Sequence, residues 1–148
     1  MEIRLLTESD VPELTRVMKV NQPEPVFTAT EKDVALWFPQ APWIMPGFFN
    51  EKELMGALFC ERAEGAFIAR SGVSRPVYRT EPLIREALNL LKEFASDRGH
   101  SILRMELCTQ DGMRVAHYLV QAGAKVSGYI PQRHGLEAGI QLEVGLGR

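Results

Sequence analysis

Two cysteines, three histidines and several charged residues near strand ends or helix starts are what this 148-residue chain offers for chemistry. Cys60 and Cys108 become nucleophiles only where something depresses the thiol pKa. Their neighbours Leu58, Phe59 and Leu107 are apolar, which points to buried free thiols rather than a disulfide or a metal site. His100, His117 and His134 stand at no metal-ligand spacing, and no metal is expected. Arg75 and Arg79 come just before a helix start at Thr80 and Glu81, where unpaired N–H groups and the positive end of the helix favour an anion. The same arginines also read as plain solvated side chains, and Thr80 as an N-cap. Glu106 can act as a proton acceptor, or can pair with Arg104 or Arg70 on a solvated sheet face. Tyr118 and His117 read first as helix-face and surface residues.

The element best placed to organise these groups is a helix over Glu81 to Ser96. Leu83, Ile84, Ala87, Leu88, Leu90, Leu91, Phe94 and Ala95 recur on one broad face, opposite Arg85, Glu86, Asn89, Lys92 and Glu93, and Gly99 follows as a stop. Before it, Glu2 to Leu6 reads as a strand, and a helix capped at Thr7 or Ser9 carries Val11, Leu14, Val17 and Met18. Asn21 to Thr30 reads as loop and Thr30 to Phe38 as a short helix, closed off by Pro39, Pro42 and Pro46. Antiparallel strands follow: a run ending at Phe48 and Phe49, LMGALFCE after a turn at Asn50 to Glu53, and AFIAR after a turn at Glu64 and Gly65. Beyond the central helix, Ser101 to Thr109 alternates as a strand, with Leu103, Met105 and Leu107 on one face and Ile102, Arg104, Glu106 and Cys108 on the other. A helix from about Asp111 to Ala122 stops at Gly123, and Lys125 to Ile130 pairs with Gly139 to Gly145 across a loop containing Pro131 and Gly135. The order β-α-α-β-β-β-α-β-α-β-β predicts an α/β fold, a mixed central sheet flanked by helices.

A hydrophobic content of 45% over 148 residues suits one domain spanning 1–148. A net charge of −2 lacks the basic footprint of a nucleic-acid binder, and no apolar run is long enough to span a membrane. The opening MEIRLLTESD has no signal-peptide pattern, so a cytoplasmic protein is expected.

This order is similar to that of the GNAT N-acetyltransferase superfamily. IRLLTESDVPEL resembles the family's first strand and helix, and ILRMELCTQDGMRVAHYLVQAGAKVSGYI its fifth strand, fourth helix and sixth strand. The resemblance implies acetyl-CoA as acyl donor and a primary amine, on a small molecule or a protein, as acceptor. It also implies a sheet splayed between the fourth and fifth strands, with the main chain of Phe67, Ile68, Ala69 and Arg70 offered to the pantetheine arm. The pyrophosphate would sit at the central helix start, on Arg79, Thr80, Glu81, Leu83 and Ile84. Arg79 matches the leading basic residue of the family pattern Q/R-x-x-G-x-G/A, often part of Y-R-G-x-G-I-G. Thr80, Pro82 and Ile84 replace its glycines. Pro82 has no N–H to donate and Ile84 is branched where the backbone should come close. Each lost donor to a charged oxygen costs roughly 1.5 to 3 kcal/mol.

Within the same resemblance Glu106, on the fifth strand beside the cleft, is the best-placed base, ahead of Glu61 and the histidines. The family's thiolate-protonating Tyr stands four residues before the final helix glycine. That position is Leu119 here, with Tyr118 one residue away, about 100° round the helix. Leu119, Gly123 and Ala124 also resemble small GNAT-like proteins of tailed-phage virions. The second expectation is therefore a catalytically silent GNAT-like protein, virion-associated, whose contacts are protein partners or copies of itself.

Overall fold

The computed structural model describes residues 1–21, 30–36, 38, 43–107, 110–131 and 138–147. The proline-rich segment after Asn21, Trp37, Cys108, Thr109, His134 and Gly135 lie outside them, so the expectations resting on those positions carry no structural account. Strand β1 is Glu2–Leu5, followed by a 3-10 turn at Glu8–Asp10 and helices α1 (Val11–Asn21) and α2 (Glu31–Leu36). Then come β2 (Trp43–Ile44), β3 (Pro46–Asn50), β4 (Glu53–Ala63) and β5 (Ala66–Ser74). After a 3-10 turn at Pro76–Tyr78 the chain forms α3 (Glu81–Asp97), β6 (Ile102–Leu107), α4 (Gln110–Gln121), β7 (Lys125–Ile130) and β8 (Gly139–Gly145).

The strands form one mixed sheet in the order β1-β3-β4-β5-β6-β8-β7, with β2 continuing the β3 edge of β4. Among the described pairs all but β5–β6 are antiparallel, and β3–β4, β4–β5 and β7–β8 join consecutive strands. The crossover through α3 makes β5 and β6 parallel, as a helical connection of that length requires. Side chains alternate across the sheet, so each face has its own core. On one face Phe67, Ala69, Leu103, Met105 and Leu142 pack under Leu88, Leu91 and Phe94 of α3 and Ala116 and Leu119 of α4. On the other, Phe49, Leu54 and Ala57 pack under Val11, Leu14 and Val17 of α1 and Val34 of α2.

Both long helices end where the sequence supplies a glycine. Gly99 (φ +85°) and Gly123 (φ +109°) turn left-handed after α3 and α4, and the N–H of Ala124 donates back to the Leu119 carbonyl (3.0 Å). The Arg4 guanidinium donates twice to Asp10 (2.9 and 2.8 Å), and holds that carboxyl below its usual range. This ties the turn before α1 to β1. No described helix is long and apolar enough to cross a membrane.

Candidate active site

The sheet opens at one point. β5 and β6 pair from Ala66↔Ile102 to Ala69↔Met105 and no further. Beyond that, β5 runs on through Ser74 against β4 alone, while Glu106 and Leu107 stay with Gln141 and Ile140 of β8. Arg70 sits at the parting: Ala69 faces Cys60 and Ser71 faces Phe59, leaving Arg70 as the extra residue of a bulge. Bulges of this kind bend a strand and re-aim a side chain. Of the four residues expected to offer main chain to a ligand, Phe67, Ile68 and Ala69 are already laddered to β6, and only Arg70 lies on the open edge. That edge continues through Ser71, Gly72, Val73 and Ser74, longer than the AFIAR run predicts. Gly72 weakens the strand signal, yet a side chain there would meet Leu58 Cδ2 at 2.6 Å.

The parting is bridged by charge. Arg70 Nε and Nη2 donate to Oε2 of Glu61 (3.1 and 2.9 Å), and Nη1 donates to Oε1 of Glu106 (2.5 Å). These hydrogen bonds, first that to Glu61, hold the guanidinium pKa above its usual value. Of the two pairings open to Glu106 the structure has that with Arg70. Arg104 turns instead to Glu143 (2.8 Å). Phe67 and Ala69 point into the α3/α4 core, so Ile68 and Arg70 point to the opposite face. Trp43, Glu61, Ile68, Arg104 and Glu143 are successive cross-strand neighbours and share that face. Glu61 and the exposed Trp43 therefore lie on the same face of the sheet as Arg70 and Glu106; alternation in LMGALFCE alone does not place them together.

At the start of α3, Thr80 has the extended conformation of an N-cap, but its hydroxyl makes no capping bond, contrary to the expected cap. Pro82 occupies the first turn, the first helical bond runs from Ile84 N–H to the Thr80 carbonyl (2.9 Å), and Glu81 pairs with Arg85 (2.9 Å). Leu83 and Ile84 are half-buried against the α3/α4 core. Neither preceding arginine is a plain solvated side chain. Arg79 donates to the hydroxyl and carbonyl of Ser74 (2.9 Å each), and Arg75 donates to Glu13 (2.7 Å) and the Leu54 carbonyl (3.2 Å). Tyr78 donates to Glu53 (2.8 Å). The turn from β5 into α3 is thus held by the side chains of Arg75, Tyr78 and Arg79, just before the positions where the family pattern has glycines.

Tyr118 is half-buried on α4, its ring tilted against exposed His117 (centroids 5.9 Å apart), while Leu119 lies in the core. Burial pushes the Cys60 thiol well above its usual pKa, as its apolar neighbours led us to expect. Among the described residues no group of His, Cys, Asp and Glu could hold a metal ion.

No protein-family model matches the chain, and no curated protein matches it at a significant level. Solved structures do. Aminoglycoside 6'-acetyltransferase type Ii superposes with a TM-score of 0.76 at 15% identity, over 100% of this chain and 99% of its own. The ribosomal-protein-S18-alanine N-acetyltransferase of Escherichia coli gives 0.70 at 17% identity, over 99% and 94%. An aminoglycoside 6'-N-acetyltransferase complexed with coenzyme A gives 0.73 at 12% identity, over 100% and 98%. The narrower likeness to virion proteins finds no support in these structures. Buried Leu119 and Ala124 and the left-handed Gly123 are accounted for by packing and helix termination. Sequence identities this low speak for the architecture alone, and it is unambiguous: the chain has the GNAT N-acetyltransferase fold.

Proposed function

We propose that this protein transfers an acetyl group from acetyl-CoA to a primary amine bound at the apex of the cleft between β5 and β6. The observation that carries the reading is the parting of the two strands at Arg70 with two carboxylates, Glu61 and Glu106, at the point of opening. The open β5 edge from Arg70 to Ser74 would bind the amide-bearing arm of the donor, as an added strand would. The N–H groups of Thr80, Glu81 and Leu83 and the Thr80 hydroxyl would face its pyrophosphate. Acetyl-CoA supplies the acyl group as a thioester.

The incoming ammonium must lose two protons to become an amide. Glu106 takes the first proton and frees the nitrogen lone pair for attack. The second leaves the nitrogen as the adduct collapses, and the departing sulfur is protonated as the C–S bond breaks, by Tyr118, which regains a proton from the nitrogen, or by solvent. Overall, ammonium plus thioester gives amide, thiol and one released proton. The reading is tested by titrating acetyl-CoA by calorimetry and thermal shift, then measuring thiol release across a panel of amines. A specific ligand at 100 times its Kd stabilises by about 2.7 kcal/mol, a clear rise in Tm. Failure to bind at millimolar concentration sinks the proposal. A second reading, an inert scaffold that binds proteins or its own copies, is favoured by one feature, Pro82 in the first turn of α3, and that failure would leave it standing.

A further inference from the structure

We propose that Arg70 is the positioning residue of this site, an arm anchored on Glu61 that carries the Glu106 carboxylate to the apex of the cleft. The proposal rests on the reading of Glu106 as base. Its geometry does not, because the arm spans three strands. Glu61 belongs to β4, Arg70 to the bulge of β5 and Glu106 to β6. Two donors hold Glu61 through one oxygen, and a single donor holds Glu106. Arg70 thus uses two of its nitrogens on Glu61 and turns the third, over a shorter contact, to Glu106.

Only Oε1 of Glu106 is engaged by Arg70, which leaves Oε2 to take a proton. Among the described residues the nearby polar groups on this face are engaged elsewhere: Gln141, opposite Glu106 on β8, donates to Ser127, and Arg104, two residues before Glu106, is bound to Glu143. A planar guanidinium can reach both carboxylates in one fixed orientation, and an ammonium cannot. The bulge explains why Arg70 can do this. An unbulged β5 would put the residue after Ala69 in register with Phe59, whereas the inserted residue is turned toward the parting strands. Remove the cation and the carboxylates of β4 and β6, on either side of β5, are left without the charge that binds both. A base displaced by an ångström loses about 100-fold in rate.

The test uses Arg70→Gln, Arg70→Lys, Glu61→Gln and Glu106→Gln in the full chain, with acetyl-CoA and the best amine of the panel. Arg70→Gln is expected to lower kcat about 100-fold while acetyl-CoA affinity stays unchanged and the chain remains folded, with a lower Tm from the two ion pairs lost. Arg70→Lys should recover little of that loss, and added guanidinium should restore part of it. The Arg70→Gln/Glu106→Gln double variant should be no slower than Glu106→Gln alone, since the arm has nothing left to position. Full activity in Arg70→Gln, or additive losses in the double variant, overturns the proposal. A chain that binds no acetyl-CoA fails the acetyl-transfer reading separately, and the arm is then judged by nitrogen NMR of the guanidinium. Distinct, slowly exchanging Nη signals that collapse in Glu61→Gln and in Glu106→Gln support it. Averaged signals in the unsubstituted protein overturn it.

Discussion

The lower and upper halves of the β5–β6 pair are built from the same two strands and behave as different materials. Below, Ala66 to Ala69 is laddered to Ile102 to Met105, and Phe67 and Leu103 are wholly buried. Phe67 packs edge-on against Phe94 and His100, at 5.8 and 5.4 Å between ring centres. Above, from Arg70 and Glu106, the strands part and the residues at the opening are charged and partly exposed. The difference shows how an open sheet stays open. Apolar pairing closes the strands up to Ala69 and Met105. An inserted residue then breaks the register, and ion pairs rather than backbone bonds span the gap.

The strongest way to break this comparison is Phe67→Ala. It should cost about 3 to 5 kcal/mol of stability by denaturant unfolding, while Ser71→Ala on the open edge should stay within about 0.5 kcal/mol. Equal losses would mean that the two halves share one core. In the opening itself, Glu106→Gln should lower kcat by about 10²- to 10⁴-fold with Tm unchanged, which separates chemistry from packing. A smaller effect is expected at the start of α3. Pro82→Ala restores a donor and should tighten acetyl-CoA binding by about 1.5 kcal/mol, roughly tenfold; unchanged affinity by calorimetry would place the anion elsewhere.

The smallest effect concerns the foundation of the closed half. Burial first, then the nearby Arg62 and Arg98, lower the His100 pKa. The unfolded chain takes up this proton near pH 6.5 while the folded chain resists it. The stability His100 contributes is therefore present above that pH and is lost as the pH falls through the folded value. Denaturant midpoints measured between pH 7.5 and 5 should fall, and His100→Gln should flatten that part of the profile.

Most of this architecture could be read from the residues because the patterns are long and local. The 17-residue α3, with Leu88, Leu91, Phe94 and Ala95 at helical spacing and Gly99 behind them, needed no tertiary information to be recognised. Neither did the alternation of β6 or the stops at Gly65 and Gly123. The site was legible only in part. Glu106 follows from residue type and strand order, with Arg70 and Arg104 both open to it as partners; the register between strands decides for Arg70. The open edge beyond Arg70 does not, because SGVS carries a glycine and two serines and lacks the apolar alternation of a strand. Arg79 and Arg75 were visible as cations, while their partners Ser74, Glu13 and the Leu54 carbonyl became apparent only in the folded chain.

By itself the sequence determined the elements, their order, the two apolar faces and the loss of glycines and of one N–H donor at the start of α3. Those are properties of neighbouring residues, fixed by side-chain period and backbone freedom. Tertiary structure alone decided where β5 leaves β6, that Arg70 is the bulged residue, and that Glu61, Trp43 and Glu106 share one face. Register between strands far apart in the chain is set by how two cores close on either side of the sheet, and a one-residue slip there reverses every side chain.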